Sequence, residues 1–320
     1  PQITGQIGVG LSIAGDGGVA GNASTVTVES NATLVSDGNN SAAITAQSLG
    51  GRGGNGGDAS VKNNKNGLNH TAAVSGVAGS GGNADQVTVT NKGKIYTFGN
   101  GSSGINALSA GGDGGVGGSA DAELALTGVA LNSIIGMSNV SAGNGGSSSS
   151  VSVINGSDSD DTGLIQTAGN NAAAISAISR GGSGSSDGTP SGSVAIGGNG
   201  GNGGSAGNVE VDNYSTLITQ GNNAAGISAQ SLGGDAGIAA TAHYAGFPVA
   251  TNGTVGNAGA VVITNSGKVE TFGKNSGGIG GLSQGAVAGA VTITNSGTVM
   301  TTGDQSFGIS AQSLGEQSSG

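Results

Sequence analysis

The chain has 320 residues, of which 71 are glycine, 3 are tyrosine and 4 are phenylalanine, with no cysteine or tryptophan and a formal net charge of −10 from 8 Lys+Arg against 18 Asp+Glu. So little aromatic area argues against a large compact interior, the acidic balance argues against nucleic acid or an anionic lipid surface as a partner, and the lack of cysteine excludes a disulfide framework and a thiolate metal site. A Gly-rich chain of this kind belongs with disorder unless a regular pattern is present.

The sequence opens at Pro1 in a Gly-rich stretch, without a charged n-region or an apolar h-region, and is expected to be a piece of a longer protein. The first regular element is a β-branched pair, Val26 and Val28, whose period of two is a strand signature. A second run centres on Leu34 and a third on Ile44, which opens the phrase "ITAQSLGG". The same three runs return at Val87, Ile95 and Ile105, then at Val151, Ile165 and Ile175, then at Val209, Leu217 and Ile227. Two further sets follow at Val261, Val269 and Ile279 and at Val291, Val299 and Ile309. Between the second and third sets lies the longest apolar-leaning segment, "ELALTGVALNSIIGM", which is too short and too broken by polar residues to span a bilayer.

The spacing is regular. From the second run to the third the offset is 10 residues in all six units, and from the first to the second it is 8 in five of them. The shortest step to the next unit runs from Ile279 to Val291, so the minimal repeat is the one from Val261 to Val291, about 30 residues and within the range of solenoid periods. Every longer junction is an insertion at one corner. There are four of these, adding roughly 20 to 35 residues each, and the first two are the longer. The pattern predicts an all-β fold, a parallel β-helix solenoid of about six three-strand coils, expected right-handed, with Gly-rich lateral insertions. Core units fall near 24–57, 85–118, 149–186, 208–237, 260–289 and 290–320, and insertions near 58–84, 119–148, 187–207 and 238–259. Insertions from one corner must share the coil spacing, so a lateral flange of stacked lobes is expected, with extra full coils as the alternative.

Two sets of polar residues keep register with the coils. Asn91, Asn155, Asn213, Asn265 and Asn295 follow the first run, where asparagine can adopt left-handed backbone angles or stack as a hydrogen-bonded ladder. Ser48, Ser109, Ser179, Ser231, Ser283 and Ser313 follow the third run and are assigned as a second structural ladder. Catalysis on a β-helix needs clustered carboxylates with a base or cation. The dense acidic cluster, Asp158, Asp160 and Asp161, has no basic residue recurring beside it; it reads as a solvated turn and a weak candidate ion site. His70 and His243 stand alone in insertions without a ligand partner at metal spacing. No catalytic residue and no cofactor is expected.

"VTITNSGTVMTTGDQSFGISAQSLG" (residues 291–315) resembles the repeat of Gram-negative autotransporter passenger domains, and the resemblance extends over all six units. It is loosest in the third unit, where "GSDSDD" replaces the usual turn. The resemblance implies secretion through a C-terminal outer-membrane barrel that anchors the full-length protein, display at the cell surface, and a non-enzymatic role in adhesion, autoaggregation or biofilm. The implied partners are a host or abiotic surface, or other rods of the same kind. A self-assembling extracellular filament or matrix protein, and the stalk of a glycan-active β-helix enzyme, are the alternatives.

Overall fold

The computed structural model describes residues 6–63, 67–124, 133–137, 142–157, 162–191, 194–240, 243–244, 247–248 and 250–316. Three parallel six-stranded sheets carry the repeats. The first sheet stacks Val26–Ser30, Val87–Asn91, Val151–Asn155, Val209–Asn213, Val261–Asn265 and Val291–Asn295. The second stacks Leu34–Ser36, Ile95–Thr97, Ile165–Thr167, Leu217–Thr219, Lys268–Thr271 and Thr298–Thr301. The third stacks Ile44–Leu49, Ile105–Ala110, Ile175–Arg180, Ile227–Leu232, Ile279–Gly285 and Ile309–Gly315. Val26, Val87, Val151, Val209, Val261 and Val291 are direct register partners in succession, so one turn of the chain through the three sheets is one coil of a parallel β-helix.

Alternation decides which side chains fill the coil. In the second coil Val87 and Val89 have no solvent access, while Thr88 and Thr90, which alternate with them, are partly exposed. The continuous core holds two valines or isoleucines from each first-sheet strand, one aliphatic from each second-sheet strand, and, in the first four coils, an Ile and an Ala from the third sheet. Gly281 replaces that alanine in the fifth coil, and a Cβ there would press on Val291. The interior is therefore narrow, and each aliphatic side chain contributes about 1.5–3 kcal/mol. The parallel ladders between coils satisfy the backbone.

Between the third sheet of one coil and the first sheet of the next, the chain leaves the solenoid sideways. Outgoing arms run at 50–57, 111–118, 181–188 and 233–240, and returning arms at 14–21, 75–82, 142–146, 197–204 and 250–256. Their bonding repeats every third residue, the pitch of a polyproline II helix, whose own backbone groups face outward and must find partners in neighbouring strands. In "GGNGG" of the first arm, Gly53 N donates to Asp113 O of the parallel arm in the next coil, and Gly54 N donates to Gly18 O of an antiparallel returning arm. The array needs glycine for close approach: a methyl on Gly53 would run into the carbonyl of Gly79, and one on Gly115 into that of Gly54.

Residues 50–57, 111–118, 181–186 and 233–237 thus belong to the lateral array, although the sequence reading placed them with the core units. The glycines after "AQSL" in the first and fourth coils start an arm. Period-two reasoning misses this because a Gly-Gly-x phrase has a period of three.

Beyond the arms, Gln6–Ile13, Gly67–Val74, Ser133–Met137 and Val194–Ile196 form a parallel sheet, extended by the short antiparallel strands His243–Tyr244 and Phe247–Pro248. Ala59–Asn63 pairs with Ala120–Leu124 in a second, two-stranded sheet. Ala59, Ala73, Ala120 and Ala122 make a small separate core there. The short junction from Ile279 to Val291 carries no arm, and Ala286 instead donates its N–H back to Gly256 O.

Candidate functional site

The residues that recur once per coil make three internal sets of hydrogen bonds. In the first, Asn91 Nδ2 donates to Asn155 Oδ1 at 2.8 Å, Asn155 to Asn213 at 2.8 Å, Asn213 to Asn265 at 2.7 Å and Asn265 to Asn295 at 2.7 Å. The second N–H of each amide goes to a carbonyl of its own turn: Gly93, Gly163, Ser215, Gly267 and Gly297 respectively. In the third coil the acceptor lies eight residues on, where the other coils use a carbonyl two residues on. The ladder therefore continues across the longer turn, which begins and ends with Gly156 and Gly163 at positive φ. These asparagines hold ordinary strand backbone. The left-handed positions are Asn40, Asn171, Asn223, Asn275 and Gln305, one corner further along, between the second and third sheets.

The serines act differently from a side-chain stack. Ser231 Oγ donates to Gly207 O of its own coil and accepts Gly259 N–H of the next, both at 2.8 Å. Ser48, Ser109, Ser179 and Ser283 repeat this two-way bond, and Ser313 donates to Gly289 O. In every case the backbone partner lies two residues before a first-sheet strand. Each hydroxyl therefore clasps the neck where arms leave and re-enter the coil. A hydroxyl has one proton to give and two lone pairs, which suits a bridge between two backbone segments.

A third set was not anticipated. The hydroxyls of Thr97, Thr167, Thr219 and Thr271 donate to the carbonyls of Ser102, Ala172, Ala224 and Ser276 at 2.6–2.7 Å, all buried, and so fix the turn into the third strand. Their signal was present as a Thr two residues after the second aliphatic. A related device covers the arms. Asn55 Oδ1 accepts the N–H of Val116, Asn83 that of Ser147, Asn144 that of Asn202 and Asn202 that of Thr254. At these positions the outward N–H is thereby paired with the side chain one coil earlier.

Charge is sparse. Asp85, in the first neck, accepts from Gln86 N–H and from the Thr25 hydroxyl, each at 2.8 Å, and in that order these bonds hold its carboxyl below the usual range. Asp158, Asp160 and Asp161 lie outside the described residues. Among the described residues there is no group of three His, Cys, Asp or Glu placed to hold a metal, and His70 is an exposed residue of the tip sheet. Two depressions open on the outward face of the third sheet. One, of about 230 Å³, lies around Gly280 and Phe307. The other, of about 180 Å³, lies between Arg180, Asp235, Gln284 and Glu316 where the outgoing arms begin.

Fold and ladders define a class: a parallel β-helix solenoid with a lateral polyglycine array. No family model matches the chain, and no curated protein or solved structure is found to be similar to it.

Proposed function

We propose that the chain is a segment of a non-enzymatic adhesive rod displayed outside a Gram-negative cell, in a protein exported and anchored as autotransporter passengers are. The observation that carries this reading is the single register of all six coils, from Val26 through to Val291. It makes every outward position recur at the coil spacing of about 4.8 Å, so the molecule offers a repeated, acidic, hydroxyl- and amide-coated surface. Ladders that are buried and fully bonded favour stiffness over adaptability, as a rod requires. The likeness of residues 291–315 to passenger repeats supports surface display, with a host or abiotic surface, or a second rod, as the partner.

Beads coated with the purified chain test the reading. They are expected to adhere to epithelial cells, to polystyrene or to one another more than beads carrying an unrelated acidic protein. Beads that show no excess adhesion on any of these surfaces contradict it. Turnover of an acidic polysaccharide by the same preparation would favour the enzyme alternative.

A further inference from the structure

On the outward face of the third sheet, one register position reads Thr45, Asn106, Ser176, Ser228, Gly280 and Ser310 through the six coils. The missing side chain at Gly280 opens a depression of about 230 Å³ between Ser228 and Ser310. Gln230, Leu282 and Gln312, at the neighbouring outward position, line it further along the strands, and the ring of Phe307 walls the other side. Phe307 can lie there because Gly277 and Gly280 present no side chain beneath it: a Cβ at Gly277 would collide with the ring, and one at Gly280 would only touch it, at 3.5 Å.

We infer that this depression is a binding subsite for one neutral sugar ring of a glycan. No lining residue is charged. An anionic or cationic group seated there would lose hydration without gaining a counter-charge, which is costly. The polar groups are two hydroxyls and two carboxamides, which both donate and accept and so match the vicinal hydroxyls of a pyranose. Gln230 Nε2 reaches Ser228 Oγ only at 3.4 Å, a long bond that a ligand hydroxyl can replace. Phe307 is 44% exposed, and its ring offers an apolar platform to the C–H face of the sugar. The volume lies below the 300–1,000 Å³ or so typical of pockets for drug-sized ligands, which suits a single ring with the rest of the glycan in solvent. The inference deepens the adhesive reading and rests on it, since it names the chemistry one face of the rod would grip.

The test is titration of the purified chain with maltotetraose, cellotetraose, mannotetraose and chitotetraose, with tetragalacturonate as the charged comparison, read by calorimetry and by saturation-transfer NMR. Saturable millimolar or tighter binding of at least one neutral tetrasaccharide is expected. Gly280→Asn fills the gap with the residue that stands at the same register in the second coil, and Phe307→Ala removes the platform. Each is expected to weaken binding tenfold or more with unchanged circular dichroism. No saturation by any neutral tetrasaccharide up to about 10 mM, where affinity would be about 3 kcal/mol or less, overturns the inference. So does binding that survives both substitutions, or a preference for tetragalacturonate. Bead adhesion retained by Gly280→Asn alongside lost sugar binding would leave the adhesive reading standing and separate the two.

Discussion

The side-chain amide of Asn155 donates to Asn213 Oδ1 at 2.8 Å, and neither residue has any solvent access. Each inner amide of this row, at Asn155, Asn213 and Asn265, serves as donor to the next coil and acceptor from the last, so the row is a chain of bonds with few spare groups. Buried polar groups that lose a partner cost about 1–3 kcal/mol apiece. Asn213→Leu leaves the Asn155 donor and the Asn265 acceptor orphaned and also frees the Ser215 carbonyl. We expect a loss of about 3 kcal/mol or more in chemical denaturation, against under about 1 kcal/mol for the exposed Asn222→Ala.

The phase of the alternation gives a second expectation. Val89 is fully buried and Thr88 beside it is partly exposed. Val89→Asp places an unpaired carboxyl in the core and is expected to unfold at least the flanking coils, at several kcal/mol. Thr88→Asp is expected to change stability by less than about 1 kcal/mol. Equal effects in circular-dichroism melts would put the strands in the opposite phase.

The polyglycine array predicts that glycines of one type differ sharply in tolerance. Gly115→Ala drives a methyl into the Gly54 carbonyl, whereas Gly18→Ala meets nothing within 4 Å. The first should cost about 1–3 kcal/mol or more through overpacking. The second should be neutral or should stabilise by about 0.4–1 kcal/mol through the unfolded state. Local amide exchange in residues 111–118 is the direct readout, because the coils can stay folded while an arm opens.

Asp85 supplies a pH dependence. Its folded pKa is depressed by bonds from Gln86 and Thr25, so its contribution is present above the unfolded value near 3.9 and is lost as pH falls through the folded one. The carboxyl is exposed at its neck, and the effect is small. The difference in melting temperature between the native chain and Asp85→Ala should therefore be constant from pH 7 to about pH 5 and should shrink below about pH 4.

Much of the solenoid was legible because Ile44, Ile105, Ile175, Ile227, Ile279 and Ile309 keep one spacing from the second run, and that run sits in a strand with period two. The asparagine ladder was legible for the same reason. The serines were found without their partners: sequence shows that Ser231 recurs, and not that Gly207 and Gly259 pass on either side of it. The arms were the least legible element. A phrase such as "GGNGG" carries no hydrophobic period, and its order comes from bonds between segments some sixty residues apart, as from Asn55 to Val116. The groove at Gly280 was missed because a glycine within a strand reads as a weak position, and only the stacked register turns it into a gap.

Because the insertions leave the rod sideways, only the coils of this chain add to its rise. Thr27 and Thr292 are exposed outward residues on the first sheet, linked in register through Thr88, Ser152, Glu210 and Val262. Five strand spacings place their backbones about 24 Å apart. Cysteines introduced at these two positions in a chain that otherwise has none can carry spin labels, and the dipolar distance between them measures the rise directly. A narrow distribution centred at about 24 Å, broadened only by the label arms, is the predicted result. The four insertions hold enough residues for three or four further coils, so a distribution centred at roughly 40 Å would show them wound into the solenoid and would contradict the sideways arms.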